Sequence, residues 1–125
     1  MISVVCSSRH NLEEFKNHIV KKSGLHNKLE FLGYENNGEF SLTEIYNRGL
    51  KEAKNDVIVF VHDDVSIETN NWAQKLLKLF DRNQEFGIIG VAGTKYLAQS
   101  GKWWEDPKKD VWPCHAYPRR KILAI

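Results

Sequence analysis

The strongest constraint on the fold lies mid-chain, where Val57-Ile58-Val59-Phe60-Val61 runs without a polar residue between Asn55-Asp56 and His62-Asp63-Asp64. A short, mostly β-branched apolar run bounded by polar turns reads as a strand. No position in it is polar, so both of its faces must be covered, as in a parallel sheet with helices above and below. It is the longest apolar run in the sequence and far too short to cross a bilayer, so no transmembrane segment is expected.

Other elements fall into place around this strand. Residues 2–6 form a second β-branched run ending in Ser7-Ser8-Arg9-His10, and residues 29–34 a third ending in the turn Glu35-Asn36-Asn37-Gly38. Asn11 and Glu14 have capping-box spacing, and Leu12, Phe15 and Ile19 then recur at helical spacing until Ser23-Gly24 stops the helix. Ser41 and Glu44 make a second capping box ahead of Leu42, Ile45, Tyr46, Gly49, Leu50 and Ala53. A third helix, capped by Thr69 or Asn70, carries Trp72, Leu76, Leu79 and Phe80 as its inward stripe, and residues 86–93 form a fourth strand. This alternation predicts an α/β fold: an open, mainly parallel sheet with helices on both faces, right-handed crossovers and strand order 2-1-3-4. The regular part spans 1–93. Residues 94–125 hold all three prolines and three of the four tryptophans, and read as an irregular tail of the same single domain.

Composition narrows the function. Lys and Arg total 18 against 16 acids, a balance that makes nucleic acid or an anionic membrane a poor default partner. Met1 leads straight into Ile-Ser-Val-Val with no basic segment, so no secretory signal is expected. Cys6 and Cys114 lack CxxC spacing, which argues against a disulfide scaffold or zinc ribbon, and Cys6 reads as a small core residue. A cytoplasmic domain is the expectation.

Ligands of open α/β sheets bind beyond the carboxyl ends of the strands. The candidates are therefore Ser7-Ser8-Arg9, Glu35-Asn36 and His62-Asp63-Asp64, which all fall on one predicted edge. Adjacent carboxylates at a strand mouth repel each other, and a divalent ion shared with phosphate oxygens would relieve them. The plain alternative is that Asp63 and Asp64 cap a turn or face water. A receiver-like signalling domain also gathers strand-end acids, but its first strand would need an acidic pair where this chain has Cys6-Ser7-Ser8-Arg9.

In their order along the chain, SVVCSSR at 3–9, EFLGYENN at 30–37, YNRGLKEA at 46–53, VIVFVHDDV at 57–65, GVAGTKYL at 90–97 and GKWWE at 101–105 resemble the family 2 glycosyltransferases of the GT-A fold. The closer likeness is to a small bacterial glycosyltransferase-like branch. The resemblance implies a nucleotide-diphosphate sugar as donor, Mn²⁺ or Mg²⁺ as cofactor, an acceptor it does not identify, and inverting transfer. Carried over by position, it gives Ser7 and Ser8 backbone contacts to the base, with Arg9 in the same loop. Glu35 takes the place of an acid that hydrogen-bonds the base, with Asn36 beside it. Asp64 becomes the metal ligand, Asp63 a contact to ribose or metal-bound water, and His62 fills the first position of the DxD-like motif. Asn47 belongs to the N-x-G-x-x-x-A stretch of Asn47, Gly49 and Ala53, in which Tyr46 and Gly49 read as packing residues.

The resemblance stops about where the acceptor-binding half would begin, so that half is expected to be truncated and the catalytic base is unassigned among Glu105, Asp106 and Asp110. Trp103-Trp104 could stack on a sugar or cover the sheet. Lys108, Lys109, Arg119, Arg120 and Lys121 read as a solvated basic tail, and His10, His18, His26 and His115 as scattered surface positions. Apolar surface left by a missing half would favour self-association. A non-catalytic nucleotide- or metal-binding module on the same fold stays open as the alternative.

Overall fold

The computed structural model describes residues 1–90, 99–100, 105, 115–116 and 121–124. Its elements are β1 (Ile2–Ser8), α1 (Leu12–Lys21), β2 (Leu29–Glu35), α2 (Leu42–Glu52), β3 (Val57–His62), α3 (Trp72–Arg82), β4 (Ile88–Gly90), β5 (His115–Ala116) and β6 (Lys121–Ala124). They form a six-stranded sheet in the order β2-β1-β3-β6-β4-β5, parallel throughout except for β5 against β4. The α/β class and the mainly parallel sheet are as the sequence predicts.

The apolar run in β3 is buried on both sides. Val57, Val59 and Val61 pack with Ile2, Val4 and Cys6 of β1 against Ile19 of α1 and Trp72, Ala73, Leu76 and Phe80 of α3. Ile58 and Val5 face the other way with Ala53, where Leu32, Tyr46, Leu50 and Phe60 complete a second cluster under α2. Helices α1 and α3 thus cover one face and α2 the other. Tyr46 lies over Phe60, with ring centroids 4.8 Å apart, in the packing role expected of it.

The strand order differs from 2-1-3-4 because β6, drawn from the segment read as irregular, inserts between β3 and β4. Ile122 pairs with both Ile58 and Ile88, and Leu123 with both Val59 and Ile89. A strand buried on both faces needs backbone partners along both edges, since unpaired buried N–H and C=O groups are costly. With β1 on one edge of β3, the four-residue strand β6 supplies the other. Only Ile88–Gly90 of the expected fourth strand is β4, and residues 91–93 lie outside the described ones.

Two caps also differ in detail. Asn11 caps α1 by accepting from the Glu13 amide at 2.9 Å, not through a box with Glu14. α3 starts after Asn71, which is left-handed at φ 56°, and not after Thr69 or Asn70. Its first amides are satisfied from the end of α1: Trp72 N–H donates to Lys22 O and Ala73 N–H to Ser23 O. The Trp72 indole adds a 3.0 Å bond to Ile19 O. The Ser41–Glu44 capping box on α2 is present as expected.

At the amino edge of the sheet, buried Ser3 is satisfied by donating to Glu30 Oε2 at 2.6 Å and accepting from Asn55. This links β1, β2 and the turn into β3 far from the opposite, carboxyl edge.

Gly49 sets how closely α2 approaches the sheet. A Cβ placed there would overlap Val5 Cγ1 and lie 2.9 Å from Cγ2, and Val5 is fully buried. Overpacking costs about 1–3 kcal/mol, and a clash with a fully buried branched side chain belongs in the upper part of that range, about 2–3 kcal/mol, while Ala improves on Gly in a helix by about 1 kcal/mol. The crowding wins, so Gly49→Ala should lower the unfolding free energy by about 1–2 kcal/mol in urea titration.

Candidate functional site

In-register parallel pairing brings three strand ends to one edge. Ser7 of β1 lies beside His62 of β3, and Ser8 beside Glu35 of β2. Hydrogen bonds then join the segments that follow. The Ser8 hydroxyl, 3% exposed, donates to Asp63 Oδ2 at 2.6 Å and accepts from the His10 amide at 2.8 Å. The Asn36 amide N–H donates to Ser8 O at 2.9 Å.

The Asn36 side chain organises the loop into α2. Its Oδ1 accepts from the amides of Gly38 and Phe40, and its Nδ2 donates to Phe40 O at 2.8 Å and to Ser7 Oγ at 3.3 Å. A carboxamide has two donors and two acceptor sites, so this one is fully committed within the protein. Gly38 at φ 95° permits the turn, and a Cβ there would meet Arg9 Nη2 at 3.3 Å, so the guanidinium lies over the Gly38 backbone.

Three contiguous hollows open on this edge. One, of about 350 Å³, is lined by Ser7, Ser8, Arg9, His10, Asn36, Gly38, Phe40, Leu42, His62 and Asp63. A second, of about 300 Å³, adds Glu35, Asn11 and Asn37 to Ser8, Arg9 and His10. The third, of about 310 Å³, lies across Asp63, between α1 and the chain after β3, and is bounded by Asp64, Ser66, Glu14, Phe15 and His18. Volumes of this order suit a small molecule.

Of the residues named from sequence, Ser7, Ser8, Arg9, Asn36, His62 and Asp63 share the first hollow. Glu35 borders the second and Asp64 the third, with Asp63 shared between the first and third. Asn47 is exposed on α2 and lines none of the three. His10, which borders all three, and Phe40 and Leu42 were not singled out for the site. The signals were slight: a His directly after Ser-Ser-Arg, and an aromatic residue inside the otherwise polar stretch ENNGEFS.

Negative charge at Asp63 reaches into the core. Burial first, and then the Asp63 carboxylate, push the Cys6 thiol up to about 12. The Tyr46 phenol is likewise pushed up to about 12 by burial, then by Cys6 and Asp63, and among the described residues its buried Oη has no hydrogen-bond partner.

Ser8 occupies one Asp63 oxygen, leaving Oδ1 and the exposed Asp64 carboxylate as donors. Among the described residues no group of three or more His, Cys, Asp or Glu side chains could hold a metal ion. Such a donor set does not make an all-protein cage. It fits Mg²⁺ or Mn²⁺, which takes one or two carboxylates and completes its shell with phosphate oxygens and water. Glu105 accepts from Ser100 Oγ and borders none of the hollows. Trp103, Trp104, Asp106, Lys108, Lys109, Asp110, Cys114, Arg119 and Arg120 lie outside the described residues.

A family model described as a glycosyltransferase-like family matches residues 9–116. The chain belongs to this glycosyltransferase-like family. The match takes in Glu35, the His62-Asp63-Asp64 cluster and α2, and begins just after Ser7 and Ser8. The sheet described above is consistent with the GT-A type of fold. No curated protein and no solved structure gives a match. Among the described residues no helix is long and apolar enough to cross a membrane.

The buried, unionised Cys6 thiol gives a direct check on this edge. With iodoacetamide at pH 8, peptide mapping should find Cys6 unmodified in the folded protein and alkylated once urea unfolds it.

Proposed function

We propose that the chain binds a nucleotide-diphosphate sugar across the carboxyl edge of β1, β2 and β3 and transfers its sugar to an acceptor hydroxyl with inversion. The observation carrying this reading is the convergence of the three strand-end clusters, tied together by the Ser8–Asp63 and Asn36–Ser7 hydrogen bonds. Family membership supports the transferase class.

In this reading Glu35 accepts a hydrogen bond from the base, and the backbone after β1 follows the nucleoside. Arg9, the guanidinium common to the first two hollows, lies against the base, on whose plane a guanidinium stacks. Asn36 acts by fixing the loop and not by touching ligand. Ser8 holds Asp63 toward the ribose, and His62 stands ready to hydrogen-bond it. Asp64, with Asp63, would hold Mn²⁺ or Mg²⁺, which as a Lewis acid stabilises the charge developing on the departing diphosphate. Single displacement at the anomeric carbon inverts it, and the acceptor hydroxyl gives up its proton to a base as the new bond forms.

Calorimetry with UDP and GDP, with and without Mn²⁺, tests the reading. Binding should require the metal. Asp64→Ala should weaken it about tenfold or more without moving the unfolding midpoint, because Asp64 is exposed. Unchanged metal-dependent binding in that variant would remove Asp64 from the site. Proton NMR of the first product formed from UDP- or GDP-sugars should report inverted anomeric configuration.

A further inference from the structure

Four large apolar side chains remain exposed among the described residues, and two of them, Phe40 at 51% and Leu42 at 39%, border the same hollow as Arg9, His62 and Asp63. Phe40 is also held firmly. Asn36 bonds its amide through Oδ1 at 3.1 Å and its carbonyl through Nδ2 at 2.8 Å. A Phe just before an N-cap serine can serve as a hydrophobic staple, packing onto the residue four positions beyond the cap. That residue, Ile45, is 3% exposed while half of Phe40 stays in water, so burial does not account for the ring.

Across the loop, Arg9 Nη2 lies over the Gly38 backbone. An exposed aromatic face and a guanidinium bordering one hollow suit a flat π-system, since both side chains stack on planar rings. A saturated sugar ring would gain nothing comparable from the guanidinium. We infer that Phe40 is the stacking platform for the planar base of the nucleotide, with Leu42 as its apolar flank. This deepens the proposed function and rests on it.

The test compares two probes on the full chain by calorimetry in Mn²⁺: UDP, and inorganic pyrophosphate, which lacks a base. Base–aromatic stacking is strong enough for Phe40→Ala to weaken UDP binding about tenfold, with pyrophosphate binding unchanged. Phe40→Leu should fall with Phe40→Ala. Phe40→Trp should retain affinity and gain a fluorescence signal that UDP quenches. Equal UDP binding by wild type and Phe40→Ala overturns the inference. So does loss of both probes together, which would make Phe40 a structural part of the loop. Wild-type protein that binds UDP no better than pyrophosphate overturns the stacking role and leaves the diphosphate reading standing. Wild type that binds neither probe overturns both.

Discussion

Burial of β3 on both faces is the constraint from which the rest of the molecule follows. A strand with apolar residues at every position can be satisfied only inside a sheet that carries helices on each side. Val57, Val59 and Val61 take the face under α1 and α3, and Ile58 the face under α2. Parallel pairing with β1 then requires that whatever follows each strand emerges at the same edge. Ser7 arrives beside His62 and Ser8 beside Glu35 because the register allows nothing else. The candidate site is therefore a by-product of core packing, with its polar residues starting where the apolar run stops.

That edge is electrostatically coupled to the interior. Ser8 fixes the Asp63 carboxylate at 2.6 Å, and its charge helps keep the Cys6 thiol and the Tyr46 phenol protonated beneath it. A buried hydroxyl without a partner costs about 1–3 kcal/mol. Among the described residues Tyr46 Oη is in this position, on a ring packed against Phe60.

Much of this was legible in the sequence, for identifiable reasons. Periodicity marked α1, α2 and α3, and the Ser41–Glu44 box located the start of α2 to the residue. Strand ends marked the edge, since an apolar run that stops at His-Asp-Asp has only one place to put those side chains. Long-range partners were not legible. β6 is four residues long, and nothing local says that Ile122 pairs with Ile58 on one side and Ile88 on the other. The α3 cap was not legible because its partners are carbonyls just past α1, fifty residues away in sequence. The same gap affected the site: Glu35 and Asn36 are neighbours in the chain and both border a hollow, yet the Asn36 side chain is consumed by its own loop and by Ser7.

The seating of α3 on the end of α1 has a mechanical corollary. Trp72 and Ala73 are bonded to Lys22 and Ser23, and Lys22 pairs with Glu68 at 2.7 Å. The two helices are thereby welded at one end, while Ser8 anchors Asp63 at the other. The chain between, residues 64–70, is a short span clamped at both abutments. Within it Val65 and Ile67 pack onto the valine-rich keel of the sheet, so a displacement at Asp64 bears directly on that keel.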